Sequence, residues 1–171
     1  KLNMQVKVTA TLPDFVTPGA EFALEDSFSE VTFGKDEVPL LNLAVNPIKG
    51  EVQKFHLELE NATSTDGKNF VNVAEGGLTI PETPFASTDP SVSFRVPADG
   101  GIDVNLKAGN ETGSIIIKAG EIETLLNGNL FGNIHATCNP GIYNKDTDEI
   151  EEVDATLNVI PIQEPTPADT T

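Results

Sequence analysis

The residues best suited to chemistry lie close together near the C-terminal end of the chain. Cys138 is the only cysteine, and His135, one of two histidines, precedes it by three positions. A cysteine nucleophile needs a histidine base on its own side of the chain and within hydrogen-bonding reach. Side chains alternate between the two faces of an extended run, so Cys138 shares a face with Ile134 and Ala136 while His135 points away. The pattern argues against a Cys–His pair, and we predict no catalytic residue and no enzymatic activity.

Cys138 has two structural interpretations. It is either a buried, inert thiol in an apolar interior or one half of a disulfide bond whose other cysteine lies upstream of Lys1. In the native fold we expect a buried thiol to be unreactive towards thiol reagents. The apolar neighbours that the alternation predicts for it are Ile134, Ala136, Val153, Ala155, Leu157 and Val159.

The second chemical candidate is the acidic cluster that follows this run. Zinc is disfavoured because its sites need three or four converging His, Cys or carboxylate ligands, and the chain has two histidines and one cysteine. Calcium takes carboxylate and carbonyl oxygens, which makes Asp146, Asp148, Glu149 and Glu151 the candidate calcium ligands. The glycine and the residue order of an EF-hand loop are missing. A solvated acidic loop is therefore the favoured interpretation, and no cofactor is predicted.

The charge of the chain limits its partners. The 171 residues carry a formal net charge of −17 with 27 acidic residues, and Arg95 is the only arginine. Proteins that bind nucleic acid place clustered lysine and arginine at the phosphates, so we predict no nucleic-acid partner. The chain also lacks a run of about 18 apolar residues, which predicts no insertion into a membrane.

The rest of the chain follows the two-residue period of half-buried strands. Residues 1–12 alternate throughout, with Leu2, Met4 and Val6 among the apolar set and lysine, asparagine and glutamine on the other face. About ten short runs of this kind, separated by Gly, Pro and Asn turns, indicate strands. We predict an all-β fold, a β-sandwich of antiparallel strands with Ig-like or related Greek-key topology, formed by a single domain over residues 1–162.

Four local features refine this prediction. Residues 38–45 form a continuous apolar run, typical of a strand that is covered on both faces or of a crossing segment. Residues 121–128 have the spacing of a short helix, with apolar residues at i, i+3 and i+4. Residues 98–101 are typical of a hairpin turn. Residues 134–138 and 153–162 should form a closing pair of strands.

The final segment has a different composition. Residues 163–171 are rich in proline, threonine and acidic residues, as extended and solvated linkers are. This composition predicts that further domains of the same chain follow. Because the strand pattern already holds at Lys1, a preceding segment is expected as well.

The order of these motifs resembles a family of secreted domains from Gram-positive bacteria, known as a domain of unknown function. The resemblance rests on residues 6–13 and 16–22, on the Leu-Thr-Ile-Pro segment at 78–81, and on the strand, cysteine and Asn-Pro-Gly turn at 134–141. It implies a β-sandwich, a secreted or cell-surface location and no catalytic residue. Members of the family carry a second cysteine just before the first strand, which this chain lacks. The acidic insert at residues 144–152 is also longer than the family pattern.

Together these observations predict a non-catalytic module of a bacterial secreted or cell-surface protein, with a role in adhesion, display or assembly. Its partner would be a surface ligand or another protein. One alternative is a carbohydrate-binding accessory domain, although Tyr143 is the only tyrosine and the chain has no tryptophan. The other alternative is a fibre subunit that exchanges its N-terminal strand with a second copy.

Overall fold

The fold is described from a computed structural model, which covers residues 1–129 and 132–165. Within these residues the chain forms thirteen strands and one short helix, α1 (Val38–Ala44). The strands are β1 (Gln5–Thr11), β2 (Glu21–Gly34), β3 (Ile48–Glu60), β4 (Ala62–Ser64), β5 (Phe70–Asn72), β6 (Leu78–Thr83), β7 (Ser91–Val96), β8 (Ile102–Ala108), β9 (Gly113–Leu126), β10 (Ile134–Cys138), β11 (Ile142–Asn144), β12 (Glu149–Glu151) and β13 (Thr156–Ile162).

The first sheet is organised around the long strand β2. β1 pairs with one edge of β2, from Gln5 opposite Thr32 to Thr11 opposite Glu25. Two strands share the other edge, because β7 pairs with the second half of β2 and β8 pairs with its first half. β4 completes the sheet on the far side of β8.

The segment between β7 and β8 is not a hairpin turn, so this prediction was wrong. β7 ends at Val96 and β8 begins at Ile102, and both strands run antiparallel to β2, one after the other. Residues 97–101 leave the sheet where β2 is itself irregular, at Asp26 with a φ of 51°. The Gly and Asp residues mark an interruption of the strand, but they do not determine whether the chain reverses its direction there.

The second sheet is built on the central pair β3 and β9, which is aligned from Gly50 opposite Leu126 to Glu60 opposite Ile116. β6 and β5 pair one after the other with the free edge of β3. β13 and β10 do the same along the free edge of β9. The predicted closing pair is therefore wrong in its pairing, because β10 and β13 both pair with β9 and not with each other.

The helical spacing at residues 121–128 does not give a helix, because residues 121–126 are the end of β9. In this region β9 has β3 on one edge and β10 on the other, with Ile122 opposite both Phe55 and Cys138. Both edges of its main chain find hydrogen-bonding partners in the sheet. A helix of two turns would gain much less, because short helices are marginal without packing.

Helix α1 lies where a strand or a crossing segment was predicted, at residues 38–45. In α1 the side chains of Val38 and Leu41 are buried, whereas Leu40 and Leu43 are exposed. This three-residue spacing is helical and not extended. A proline also stands in the first turn of the helix, where its missing N–H costs no hydrogen bond.

The inner faces of the two sheets form one apolar core. Its fully buried side chains include Leu106 of β8, Ile115 and Ile117 of β9, and Ile160 of β13. Two antiparallel sheets with a shared core, and α1 as the single helix of the described residues, make an all-β, sandwich-like fold, which confirms the predicted fold class. The small hairpin of β11 and β12 forms a third, separate sheet.

Val153 and Val159 were predicted to be apolar neighbours of Cys138, and for these two residues the prediction is wrong. A bulge in β13 between Thr156 and Asn158 shifts the alternation, so Ile160 and Ile162 are buried. Val159 is consequently 56% exposed, and Val153, which precedes the strand, is 41% exposed. A single extra residue in the pairing moves every following side chain to the opposite face.

The C-terminal end of β13 is anchored to the body of the sandwich. Val16 forms an isolated parallel bridge with Ile162, and the Gln163 N–H donates to the Val16 carbonyl. Of the predicted linker, residues 163–165 belong to the described part and residues 166–171 lie outside it. Among the described residues, no helix has the length and apolarity needed to span a bilayer.

Candidate functional site: an apolar cavity between the sheets

The two sheets do not fill the space between them. A cavity of about 550 Å³ lies between their inner faces. Val31 and Phe33 of β2 line it from the first sheet, and Phe55 and Leu57 of β3 line it from the second. Each of these side chains is at a position that alternation in its strand directs inward. The same pattern that builds the core therefore also builds the wall of the cavity.

The cavity extends to the edges of both sheets and to the helix. Met4, which precedes β1, lies on its wall at the edge of the first sheet, and Leu157 of β13 and Cys138 of β10 lie at the edge of the second. Leu41 of α1 also lines it. Cys138 is half-buried with a free thiol, and burial raises the pKa of that thiol. A raised pKa keeps the sulfur protonated and a poor nucleophile at neutral pH.

The mouth of the cavity can be located from the lining residues that also face solvent. These are Lys1 and Leu2 in the N-terminal segment, Leu40 in α1 and Thr137 in β10. At these three elements the lining of the cavity reaches solvent. Leu2 and Leu40 are 38% and 50% exposed, so apolar side chains border the entrance.

The chemistry of the wall is almost entirely apolar. Among the described lining residues Lys1 carries the only charge, and it lies at the mouth, 3.8 Å from a carboxylate oxygen of Asp148. The Ser27 hydroxyl donates to the Leu24 carbonyl at 3.3 Å. Ser29 and Thr124 contribute the other inner hydroxyl groups. An ionised ligand would lose its hydration here without a buried counter-charge, so the wall suits a neutral and mainly apolar molecule.

The size of the cavity is unusual for a packed interior. Protein cores contain few voids larger than a water molecule, whereas ligand pockets span about 300–1,000 Å³. A volume in that range, bordered by residues that face solvent, is typical of a site that accepts a small molecule.

The histidines lie outside this site. His56 is on the outer face of β3, stacked on the Phe70 ring at 4.8 Å between centroids, and His135 is exposed on β10. Burial, followed by the neighbouring Lys54 charge, lowers the pKa of His56. The thiol of Cys138 faces the interior, so the sheet itself separates it from the imidazole of His56. The geometry brings together no Cys–His pair.

Lys54 and its acidic partners form the main charged cluster on that outer face. Its ammonium lies 2.8 Å from Glu121 and 3.7 Å from Glu123. The hydrogen bond to Glu121 raises the pKa of Lys54, and the same bond lowers the pKa of Glu121. Opposite charges across neighbouring strands are an ordinary way to stabilise a solvent-facing sheet.

The four candidate calcium ligands lie on or beside the hairpin of β11 and β12. All four side chains are exposed, and Asp148 accepts a hydrogen bond from the Tyr143 hydroxyl at 2.7 Å. Glu149 and Glu151 flank Ile150 on β12. In the described part of the chain, no three His, Cys, Asp or Glu side chains converge on a common point suited to a metal ion.

Comparisons of the chain with protein-family models, with characterised proteins and with solved structures find no match. The resemblance to a family of secreted domains therefore stays a prediction. The cavity itself was not predicted from the sequence. Alternation identifies the inward face of each strand, but it does not determine whether the inward side chains of two sheets meet.

Proposed function

We propose that this chain is a non-catalytic binding module that holds a neutral, apolar small molecule between its two sheets. The observation that carries the proposal is the 550 Å³ cavity with its uncharged inner wall. At about 30 Å³ for a water-sized group, this volume holds roughly 18 such groups. A single hydrocarbon chain or a small polycyclic molecule has that size and polarity.

The charge of the chain supports a neutral ligand over an anionic one. The net charge is −17, which repels fatty-acid carboxylates and anionic lipid surfaces at low ionic strength. Lys1, the cation at the mouth, is already near Asp148. A neutral molecule crosses such a surface without electrostatic opposition and gains about 25 cal/mol for each Å² of apolar surface that it buries.

The setting that we propose is a bacterial secreted or cell-surface protein, in which the module serves adhesion, display or assembly. The acidic composition and the resemblance to secreted domains support this setting. A sugar ligand has less support, because the single tyrosine ring, that of Tyr143, has the Lys1 ammonium 5.2 Å from its centre. An aromatic surface for stacking a sugar ring would need to be open.

Strand exchange is a second candidate, favoured by one observation. Among the described strands β1 pairs with β2 alone, so its outer edge is open beside the cavity. A strand of a second copy could pair with that edge and place apolar side chains inside. Lys7 in the middle of β1 opposes this, because edge lysines discourage pairing. Solution mass at high concentration tests the candidate, and a monomer at all concentrations contradicts it.

The proposed ligand class is tested with N-phenyl-1-naphthylamine, a neutral apolar dye that fluoresces when it leaves water. We expect saturable binding and a higher melting temperature of the complex. The variant Ala136→Phe places a large side chain in the cavity and should weaken binding about tenfold or more. Thermal melting of this variant checks that it remains folded, since overpacking costs about 1–3 kcal/mol.

The matched control is His135→Phe, which adds the same ring to the neighbouring position of β10 on the outer face. It should bind the dye as the unmodified chain does. Absence of saturable binding to the unmodified chain would contradict the proposal. Equal affinity of the Ala136→Phe variant would show that the dye binds elsewhere, which also contradicts it.

A further inference from the structure

The hairpin of β11 and β12 stands apart from both sheets of the sandwich. Among the described strands β11 and β12 pair only with each other, from Ile142 opposite Glu151 to Asn144 opposite Glu149. The side chains of Ile142 and Ile150 are more than half exposed. The hairpin therefore has little apolar anchorage, and specific polar contacts hold it to the body of the protein.

The first contact is an ion pair with the start of α1. The Lys145 ammonium, in the turn of the hairpin, lies 3.0 Å from Oε1 of Glu37. Glu37 is buried, and its Oε2 has no hydrogen-bond partner within residues 1–129 and 132–165. A buried carboxylate is costly unless it is paired. Lys145 is therefore the charge that makes the buried position of Glu37 tolerable.

The second contact is with the N-terminal segment. The Asn3 side chain donates to the Tyr143 carbonyl at 2.9 Å and accepts from the Tyr143 N–H at 3.0 Å. One amide side chain thus replaces the two hydrogen bonds that a paired strand would make. Lys1 adds to this contact, with its ammonium 5.2 Å from the centre of the Tyr143 ring and 3.8 Å from Asp148.

These contacts join two segments that both contribute exposed residues to the cavity lining, the N-terminal segment and α1. Asn3 lies between Leu2 and Met4, which both line the cavity. Glu37 directly precedes α1, whose Leu40 and Leu41 also line the cavity. None of the described residues of the hairpin lines the cavity itself. The hairpin therefore bridges the N-terminal segment and α1 from outside.

We propose that the β11–β12 hairpin is a strap that controls the opening of the cavity. With both contacts formed, the N-terminal segment and α1 are held together and the mouth is narrow. Release of either contact frees one wall and admits a molecule from solvent. The role of the strap in ligand exchange rests on the proposed function. The opening motion itself can be measured without a ligand.

Cys138 is a built-in reporter of that motion, because it lines the cavity and is the only cysteine of the chain. The experiment measures the rate at which a maleimide modifies Cys138 in the native protein. The variant Asn3→Ala removes two hydrogen bonds to the strap, and Lys145→Ala removes the ion pair. We expect each variant to accelerate the modification about tenfold.

The matched control is Lys118→Ala. Lys118 also forms a cross-strand ion pair, 3.1 Å from Glu60, but on the outer face of the second sheet. Its removal should change the modification rate less than twofold. Lys145→Ala could fail to fold because Glu37 loses its partner. In that case the modification rate of Asn3→Ala alone tests the strap, since this variant leaves the ion pair intact. Modification of folded Asn3→Ala at the rate of the unmodified chain would overturn the strap.

Dye exchange separates the strap from the proposed function. When the unmodified chain binds N-phenyl-1-naphthylamine, the strap predicts that Asn3→Ala raises the association and dissociation rates by similar factors. Unchanged dye association and dissociation rates in that variant would contradict the proposed strap and leave the proposed ligand site supported. Absence of dye binding to the unmodified chain contradicts the proposed function instead, and faster modification of Cys138 in Asn3→Ala would still support the strap.

Discussion

Gly50 of β3 lies directly against the main-chain carbonyl of Leu125 in β9. A Cβ added at Gly50 would stand 2.0 Å from the Leu125 oxygen, well inside any contact distance, and the Gly50 φ of 149° also disfavours a side chain. The close approach lies where Gly50 is opposite Ile80 of β6 on one edge and Leu126 of β9 on the other, beside a bulge in the pairing of β3 with β6. The register of the central strand pair therefore requires glycine, which has no side chain, at position 50.

Substitution Gly50→Ala should be among the most damaging single changes in the chain. Either β3 or β9 must move, and we expect a loss of about 3 kcal/mol or more in the free energy of unfolding. Chemical denaturation followed by circular dichroism measures the loss. Gly34→Ala is the matched control, because an added Cβ there meets no atom within 4 Å. A similar loss in both variants would contradict the proposed role of the Gly50 contact.

The sequence predicted those parts of the fold that depend on alternation within one strand. Phe55, Leu57 and Leu59 were placed on one face of a strand, and all three are buried. Alternation is a local property of an extended chain, so it can be recognised without knowing which strands pair. The same reasoning correctly gave the apolar faces of β1, β7 and β8 and the all-β class.

The errors concern properties that depend on a partner strand. Residues 121–128 have helical spacing in isolation, but two neighbouring strands make them extended. The bulge in β13 exposes Val159, and no local signal marks it. The helix α1 was the exception, because the spacing of Val38, Leu41 and Val45 was visible in the sequence. The continuous apolar run around these residues concealed that spacing.

The candidate site was only partly predictable for a related reason. The inward direction of Cys138, Ile134 and Ala136 follows from alternation, and all three pack against the apolar interior. The volume between the sheets is set by their separation and by which side chains face each other. Both are properties of the assembled sandwich and not of any single strand.

The cavity predicts a difference between two buried leucines. Leu106 and Leu57 are 0% and 3% exposed, but only Leu57 lines the cavity. Leu106→Ala leaves a new void in packed surroundings and should cost about 4 kcal/mol, whereas Leu57→Ala enlarges an existing space and should cost about 2 kcal/mol. Urea denaturation of the two variants tests this order. A larger loss for Leu57→Ala would contradict the presence of open space beside it.

The thiol of Cys138 should react slowly in the native protein. Burial raises its pKa, so the thiolate fraction at a given pH is lower than in an unfolded chain. We expect Ellman's reagent at pH 8 to modify the native chain at least about tenfold more slowly than the urea-unfolded chain. The unfolded chain is the control for intrinsic reactivity. Equal rates in both states would contradict a protected thiol.

Tyr143 provides a spectroscopic test of the hairpin. It is the only tyrosine and the chain has no tryptophan, so the phenolate absorbance reports this residue alone. The hydrogen bond to Asp148 raises the pKa of Tyr143, and the same bond lowers the pKa of Asp148. The titration midpoint should therefore lie above the ordinary value of about 10, and Asp148→Asn should lower it.

The same two pKa shifts predict how pH acts on the hairpin. Because the folded pKa of Tyr143 is raised, its contribution to stability is complete below the ordinary tyrosine pKa and is lost as pH rises through the raised value. Because the folded pKa of Asp148 is lowered, its contribution is present above the ordinary aspartate pKa and is lost as pH falls through the lowered value. Amide hydrogen exchange in residues 142–151, corrected for the intrinsic effect of pH, should show the greatest protection between these two limits. Protection that is independent of pH, or that is unchanged in Tyr143→Phe, would contradict a hairpin stabilised by this bond.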